Sequence, residues 1–108
     1  MKTVKTVVVT VHMAGPIEIA KNRLRQECYE NGLCVTISPE TFIYTGGEEE
    51  GFRIGFVNYP RFPSNVRSLQ LRAIRVAKDL VRACCQRTAL VVGPTITTWI
   101  VVDPPGMT

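Results

Sequence analysis

Between residues 3 and 13 the chain alternates, with Val7, Val9, Val11 and Met13 on one side and Val8, Thr10 and His12 on the other. A period of two over that length predicts a strand with one buried face. The spacing then changes. After Gly15-Pro16, apolar residues recur at helical intervals as Ile17, Ala20, Leu24 and Cys28 until Asn31-Gly32. Proline near a helix start loses no hydrogen bond, and glycine suits the end, so this stretch predicts an amphipathic helix.

Leu33, Val35 and Ile37 alternate with Cys34, Thr36 and Ser38 and predict a second strand, which Ser38-Pro39-Glu40-Thr41 closes with the composition of a tight turn. From Phe42 onward the chain predicts a hairpin. Its first arm is Phe42-Ile43-Tyr44, its turn is the acidic, glycine-bracketed Gly46-Gly47-Glu48-Glu49-Glu50-Gly51, and its second arm runs from Phe52. On that arm Phe52, Ile54 and Phe56 share one face, and Arg53, Gly55, Val57 and Tyr59 the other.

Ser64 or Asn65 is suited to cap a second helix, with Leu69, Ala73, Val76, Leu80 and Cys84 as its apolar stripe and Leu71, Ile74, Val81 and Cys85 widening it, ending near Arg87. Ala89–Val92 and Ile96–Val102 predict two more strands around Gly93-Pro94. The order is therefore β-α-β-β-β-α-β-β. It predicts an α+β two-layer sandwich in which two helices cover one face of a mostly antiparallel sheet, ferredoxin-like in outline. A chain of 108 residues is one domain, with 103–108 as a loose tail. The uncovered face would carry Val8, Ile43, Val57 and Trp99 or Val101. Such an apolar patch predicts a homodimer.

Composition narrows the function classes only slightly. Hydrophobic residues make up 45% and charged residues 20%, a globular balance, and the net charge is +4. The apolar run from Val7 to Val11 is too short for a membrane span or a signal, which predicts a cytoplasmic protein with no membrane partner. Cysteines 28, 34, 84 and 85 show neither a C-x-x-C pair nor a regular disulfide spacing, and fit reduced thiols.

Three surfaces carry candidate chemistry. The first is the hairpin, with Tyr44 as a binding candidate on its first arm: Thr45, Gly46 and Gly47 could present backbone amides to a phosphate, but Glu48, Glu49 and Glu50 repel one and suit a basic partner instead. The second is the exit Tyr59-Pro60-Arg61-Phe62-Pro63. There two prolines stiffen the backbone, and Tyr59, Arg61 and Phe62, with Arg53 nearby on the arm, are of the types that anchor interfaces. The third is the second helix, where Arg67, Arg75, Lys78 and Arg82 form the basic stripe of a phosphate-backbone binder or simply a solvated face. His12 has no local triad partner, and its spacing to the cysteines matches no zinc pattern, so neither a catalytic residue nor a metal site is assigned.

Across Cys28–Thr36, Phe42–Glu49 and Asn58–Pro63 the chain resembles small accessory proteins encoded by tailed phages and prophages of Gram-negative bacteria. The resemblance brings no catalytic motif. It implies a binding protein in the host cytoplasm that blocks a host enzyme or an antiviral defence, whether as an anti-CRISPR-like inhibitor or by sequestering a nucleotide signal. The sequence thus predicts a non-enzymatic binding protein without a cofactor, whose partner is a host or defence protein or a nucleotide ligand. The alternative is a nucleic-acid-binding module working through the second helix.

Overall fold

The computed structural model describes residues 1–102. Its elements are β1 (Val8–Ala14), α1 (Ile17–Asn31), β2 (Val35–Tyr44), β3 (Gly47–Val57), α2 (Val66–Ala83), β4 (Thr88–Val92) and β5 (Thr97–Val101). The five strands form one antiparallel sheet in the order β2-β3-β1-β4-β5. Each helix carries the chain over an intervening strand: α1 leads from β1 past β3 to β2, and α2 leads from β3 past β1 to β4. This is the ferredoxin-like plan, with β5 added beside β4.

The strand periodicities decide what lies between the layers. Val9, Val11 and Met13 of β1, Phe52, Ile54 and Phe56 of β3, and Ala89 and Val91 of β4 are buried against the helices. They meet Ala20 and Leu24 of α1 and Leu69, Ala73, Val76, Ala77, Leu80 and Val81 of α2. Asn65 caps α2 by accepting the backbone amide of Ser68 at 2.8 Å, and Gly32 closes α1 with a positive φ of 58°. Across the helical layer Arg23 pairs with Asp79, and Arg75 with Glu27.

Several expectations change. Ser38–Thr41 is not a turn: β2 runs unbroken from Val35 to Tyr44, with Pro39 opposite Phe52. Proline is tolerated because β2 is an edge strand, where a missing amide breaks no ladder bond on the solvent side. One strand therefore replaces the second and third of the predicted order. The acidic residues are not a turn either, since Glu48, Glu49 and Glu50 are paired in β3 opposite Ile43, Phe42 and Thr41. The connecting loop is only Thr45–Gly46, and Gly46 takes a φ of 89° that side chains disfavour. Because β2 is continuous, Ile43 shares the parity of Val35 and Ile37, not that of the open face. α2 ends at Ala83, before Arg87, and leaves Leu71 and Cys85 exposed. The expected tail at 103–108 lies outside the described residues.

Candidate functional site

Both helices cover one face of the sheet, so the other face is open. β1, β3 and β2 set a row across it in which His12 stands beside Arg53 and Arg53 beside Ser38; the neighbouring row is Thr10, Gly55 and Thr36. On the far side of β1, His12 pairs with Leu90, and Leu90 with Trp99. The face is therefore polar along these two rows over β1, β3 and β2, with the exposed pair Val8 and Val57 beyond them, and apolar toward β5, where Trp99 is 61% exposed.

The polar half holds a three-residue relay. His12 Nδ1 lies 2.8 Å from Glu40 Oε1, and His12 Nε2 lies 2.9 Å from Thr10 Oγ1. A carboxylate can only accept, so Nδ1 carries the proton, and in the neutral ring Nε2 is left as an acceptor for the Thr10 hydroxyl. Glu40 stands opposite Gly51, not opposite Arg53, and reaches diagonally over β3 to His12. The His12 and Glu40 side chains are only 23% and 26% exposed. A hydroxyl, an imidazole and an orienting carboxylate in sequence make a unit that can take up a proton at Nε2 and stabilise the resulting cation.

Gly51 is required beside this relay. A Cβ there would run into the backbone of Met13 and Ala14 and lie 2.6 Å from Phe42 Cε2. The absent side chain lets the end of β1 close on β3 while Phe42 covers the gap.

The residues singled out from sequence do not form one surface. Tyr44, Gly46, Gly47, Glu48 and Glu49 lie at the hairpin tip, beyond the end of β1, where β2 and β3 pair only with each other. Glu50, at the base of that tip, accepts the Thr41 hydroxyl at 3.0 Å. Tyr59, Arg61 and Phe62 sit at the opposite end of the same two strands, about 30 Å away at about 3.3 Å per residue. There the Tyr59 carbonyl accepts the Phe62 amide at 2.8 Å in a tight turn, the Tyr59 and Phe62 rings stack at 6.3 Å, and the Arg61 guanidinium lies 5.7 Å from the Phe62 ring centre. Arg53 belongs to neither group and stands next to His12.

On α2 the basic stripe is partly neutralised. Glu27 holds Arg75, and hydrogen bonding to the two carboxylates raises the Arg75 and Arg23 guanidinium pKa values above the ordinary one. Among the described residues Arg67, Lys78 and Arg82 have no ion-pair partner. Burial pushes the Cys28 and Cys84 thiols up and keeps them protonated. Glu40 was hidden from sequence reading by the turn composition around Pro39; the signal that reveals it is its even spacing from Thr36 and Ser38 along one strand.

No protein-family model and no curated protein matches the chain. Among solved structures, a phage SAM lyase in the apo state is similar in fold, with a TM-score of 0.59 over 96% of this chain and 97% of that one, at 11% sequence identity. The expectation of a non-enzymatic protein is corrected by this likeness, because the fold, followed end to end, is one that an enzyme carries. Among the described residues no helix is long and apolar enough to cross a membrane.

Proposed function

We propose that the protein is a phage-type anti-defence enzyme that cleaves S-adenosylmethionine or a closely similar sulfonium nucleoside on the open face of its sheet. The observation that carries this reading is the end-to-end likeness to a phage SAM lyase. The relay on the open face supplies what such chemistry asks of a protein. The substrate's sulfur is cationic, and when a C–S bond breaks, both electrons leave with sulfur as a neutral thioether. A carboxylate near the cation holds the substrate, and a group that takes a proton from the carbon adjacent to the departing one lets that C–H pair form a C=C bond as the C–S pair leaves with sulfur, an elimination that yields an alkene and the neutral thioether. Glu40 is the carboxylate and His12 Nε2 the acceptor, reached when a substrate group displaces the Thr10 hydroxyl. The apolar stretch around Leu90 and Trp99 offers a flat surface to a nucleobase. S-adenosylmethionine is the general methyl donor, so its removal would starve methylation-dependent host defences.

The test is incubation of the purified protein with S-adenosylmethionine, followed by reverse-phase chromatography for its loss and for a thioether nucleoside. The wild-type protein is expected to turn the substrate over. Intact substrate after prolonged incubation, with no ligand-induced thermal shift, overturns the reading.

A further inference from the structure

The outer part of the β2–β3 hairpin is an arm that no other element among the described residues supports. β1 reaches only as far as Gly51, through Ala14, so residues 41–50 form a two-stranded ribbon that no third strand among the described residues pairs with. Ribbons of two strands are marginally stable in water unless something covers them. This one exposes Ile43 by 80% and Tyr44 by 53% beside Glu48 and Glu49, which have no ion-pair partner among the described residues. It contains no basic residue.

A concave counterpart lies on the helical layer. α1 and α2 leave a groove of about 670 Å³ between them, lined by Leu71 and Ile74 and by Arg75, Lys78 and Arg82; of its carboxylates, Glu27 and Asp79 are paired with Arg75 and Arg23, and Glu30 accepts from Gln26. Leu71 is 55% exposed, and Lys78 and Arg82 lack carboxylate partners among the described residues. The arm cannot reach this groove in its own molecule. The Gly15 amide donates to the Glu50 carbonyl at 3.3 Å, so α1 begins at the arm's base and runs back along the sheet, away from the tip.

We propose that the arm of one copy docks into the α1–α2 groove of a second copy, with Ile43 meeting Leu71 and Ile74 and its cross-strand neighbour Glu48 meeting Lys78 and Arg82, while Tyr44 and Glu49 project from the other face of the ribbon. Opposite charge and matched apolar residues select this occupant over a basic or uncharged partner. The contact joins two different surfaces, so it is head-to-tail and builds a ring where the rotation closes or a filament where it does not. It does not depend on the enzymatic reading.

Light scattering on a sizing column at about 10 µM protein, well above nanomolar affinities, tests it. The wild-type protein is expected at a multiple of 12.0 kDa. E48K and K78E/R82E are each expected to fall to the monomer mass while circular dichroism stays unchanged. An equimolar mixture is expected to regain assembly, because each reversed surface finds its complement on the other variant. For the wild-type protein, raising NaCl from about 0.05 to about 0.5 M is expected to weaken association at least tenfold as screening shortens the reach of the charges. The inference is overturned by a wild-type mass of 12.0 kDa, by either variant keeping the wild-type mass, by folded variants that do not reassemble on mixing, or by association indifferent to salt.

Discussion

His12 Nδ1 donates to Glu40 Oε1 at 2.8 Å across an intervening strand, although 28 residues separate the two in sequence. This bond fixes the imidazole tautomer and leaves Nε2 turned toward Thr10, 2.9 Å away. If the open face is where S-adenosylmethionine is cleaved, His12→Ala is expected to lower the rate by roughly 10²–10⁴, the usual scale for a proton-transfer group. Glu40→Ala is expected to cost at least about tenfold, through loss of ring orientation. Rates within twofold of wild type for both variants, with circular dichroism unchanged, would remove the relay from the reaction.

Gly51 is expected to resist even the smallest side chain. A Cβ there meets the backbone of Met13 and Ala14, which cannot swing aside as a side-chain end could. Gly51→Ala is expected to destabilise by roughly 1–3 kcal/mol, the range for overpacked sites, measured as a lower urea midpoint at constant slope. An unchanged midpoint would mean that β1 moves away from β3 without loss.

The two ends of α2 offer opposite outcomes. Asn65→Ala removes the acceptor for the Ser68 amide and is expected to cost about 1 kcal/mol. Just past the C-terminus Cys85 takes a φ of 56°, a conformation suited to glycine, while the Gln86 amide donates to the Val81 carbonyl at 2.8 Å. Cys85→Gly is therefore expected to gain a few tenths to about 1 kcal/mol. Thermal melts of the two variants should move in opposite directions.

The thiols should separate by reactivity. Cys34 and Cys85 are exposed, whereas burial raises the pKa of Cys28 and Cys84 above the ordinary 9.0. Mass spectrometry after brief alkylation near pH 8 should find Cys34 and Cys85 modified first, since the thiolate is the reactive form. A raised folded-state value also means that the unfolded chain releases these protons first. This contribution to stability is intact below about pH 9 and is lost as the pH rises through the folded-state values. Early labelling of Cys84 would contradict its burial.

Much of this architecture is legible in local spacing. The alternation of Val7, Val9, Val11 and Met13, that of Phe52, Ile54 and Phe56, and the stripe through Leu69, Ala73, Val76 and Leu80 each place their residues in the core. They do so because a strand repeats every two residues and a helix every 3.6, so a single buried face leaves its signature within one element. Two helices and several short strands of that kind have few ways to close, and the ferredoxin-like plan is one of them.

Other features depend on partners far away in sequence. Ser38-Pro39-Glu40-Thr41 has the makeup of a turn, and only the ladder with β3, together with the edge position of β2, holds it extended. Glu48, Glu49 and Glu50 likewise look like loop residues until a two-residue turn at Thr45–Gly46 commits them to pairing. Once β2 is continuous, Glu40 falls on the open face and reaches His12, a meeting that no local pattern encodes. Side-chain periodicity reports which way a residue points within its own element. Which strands lie side by side, and so which side chains meet across them, is decided by the long-range hydrogen bonds and burial of the assembled sheet.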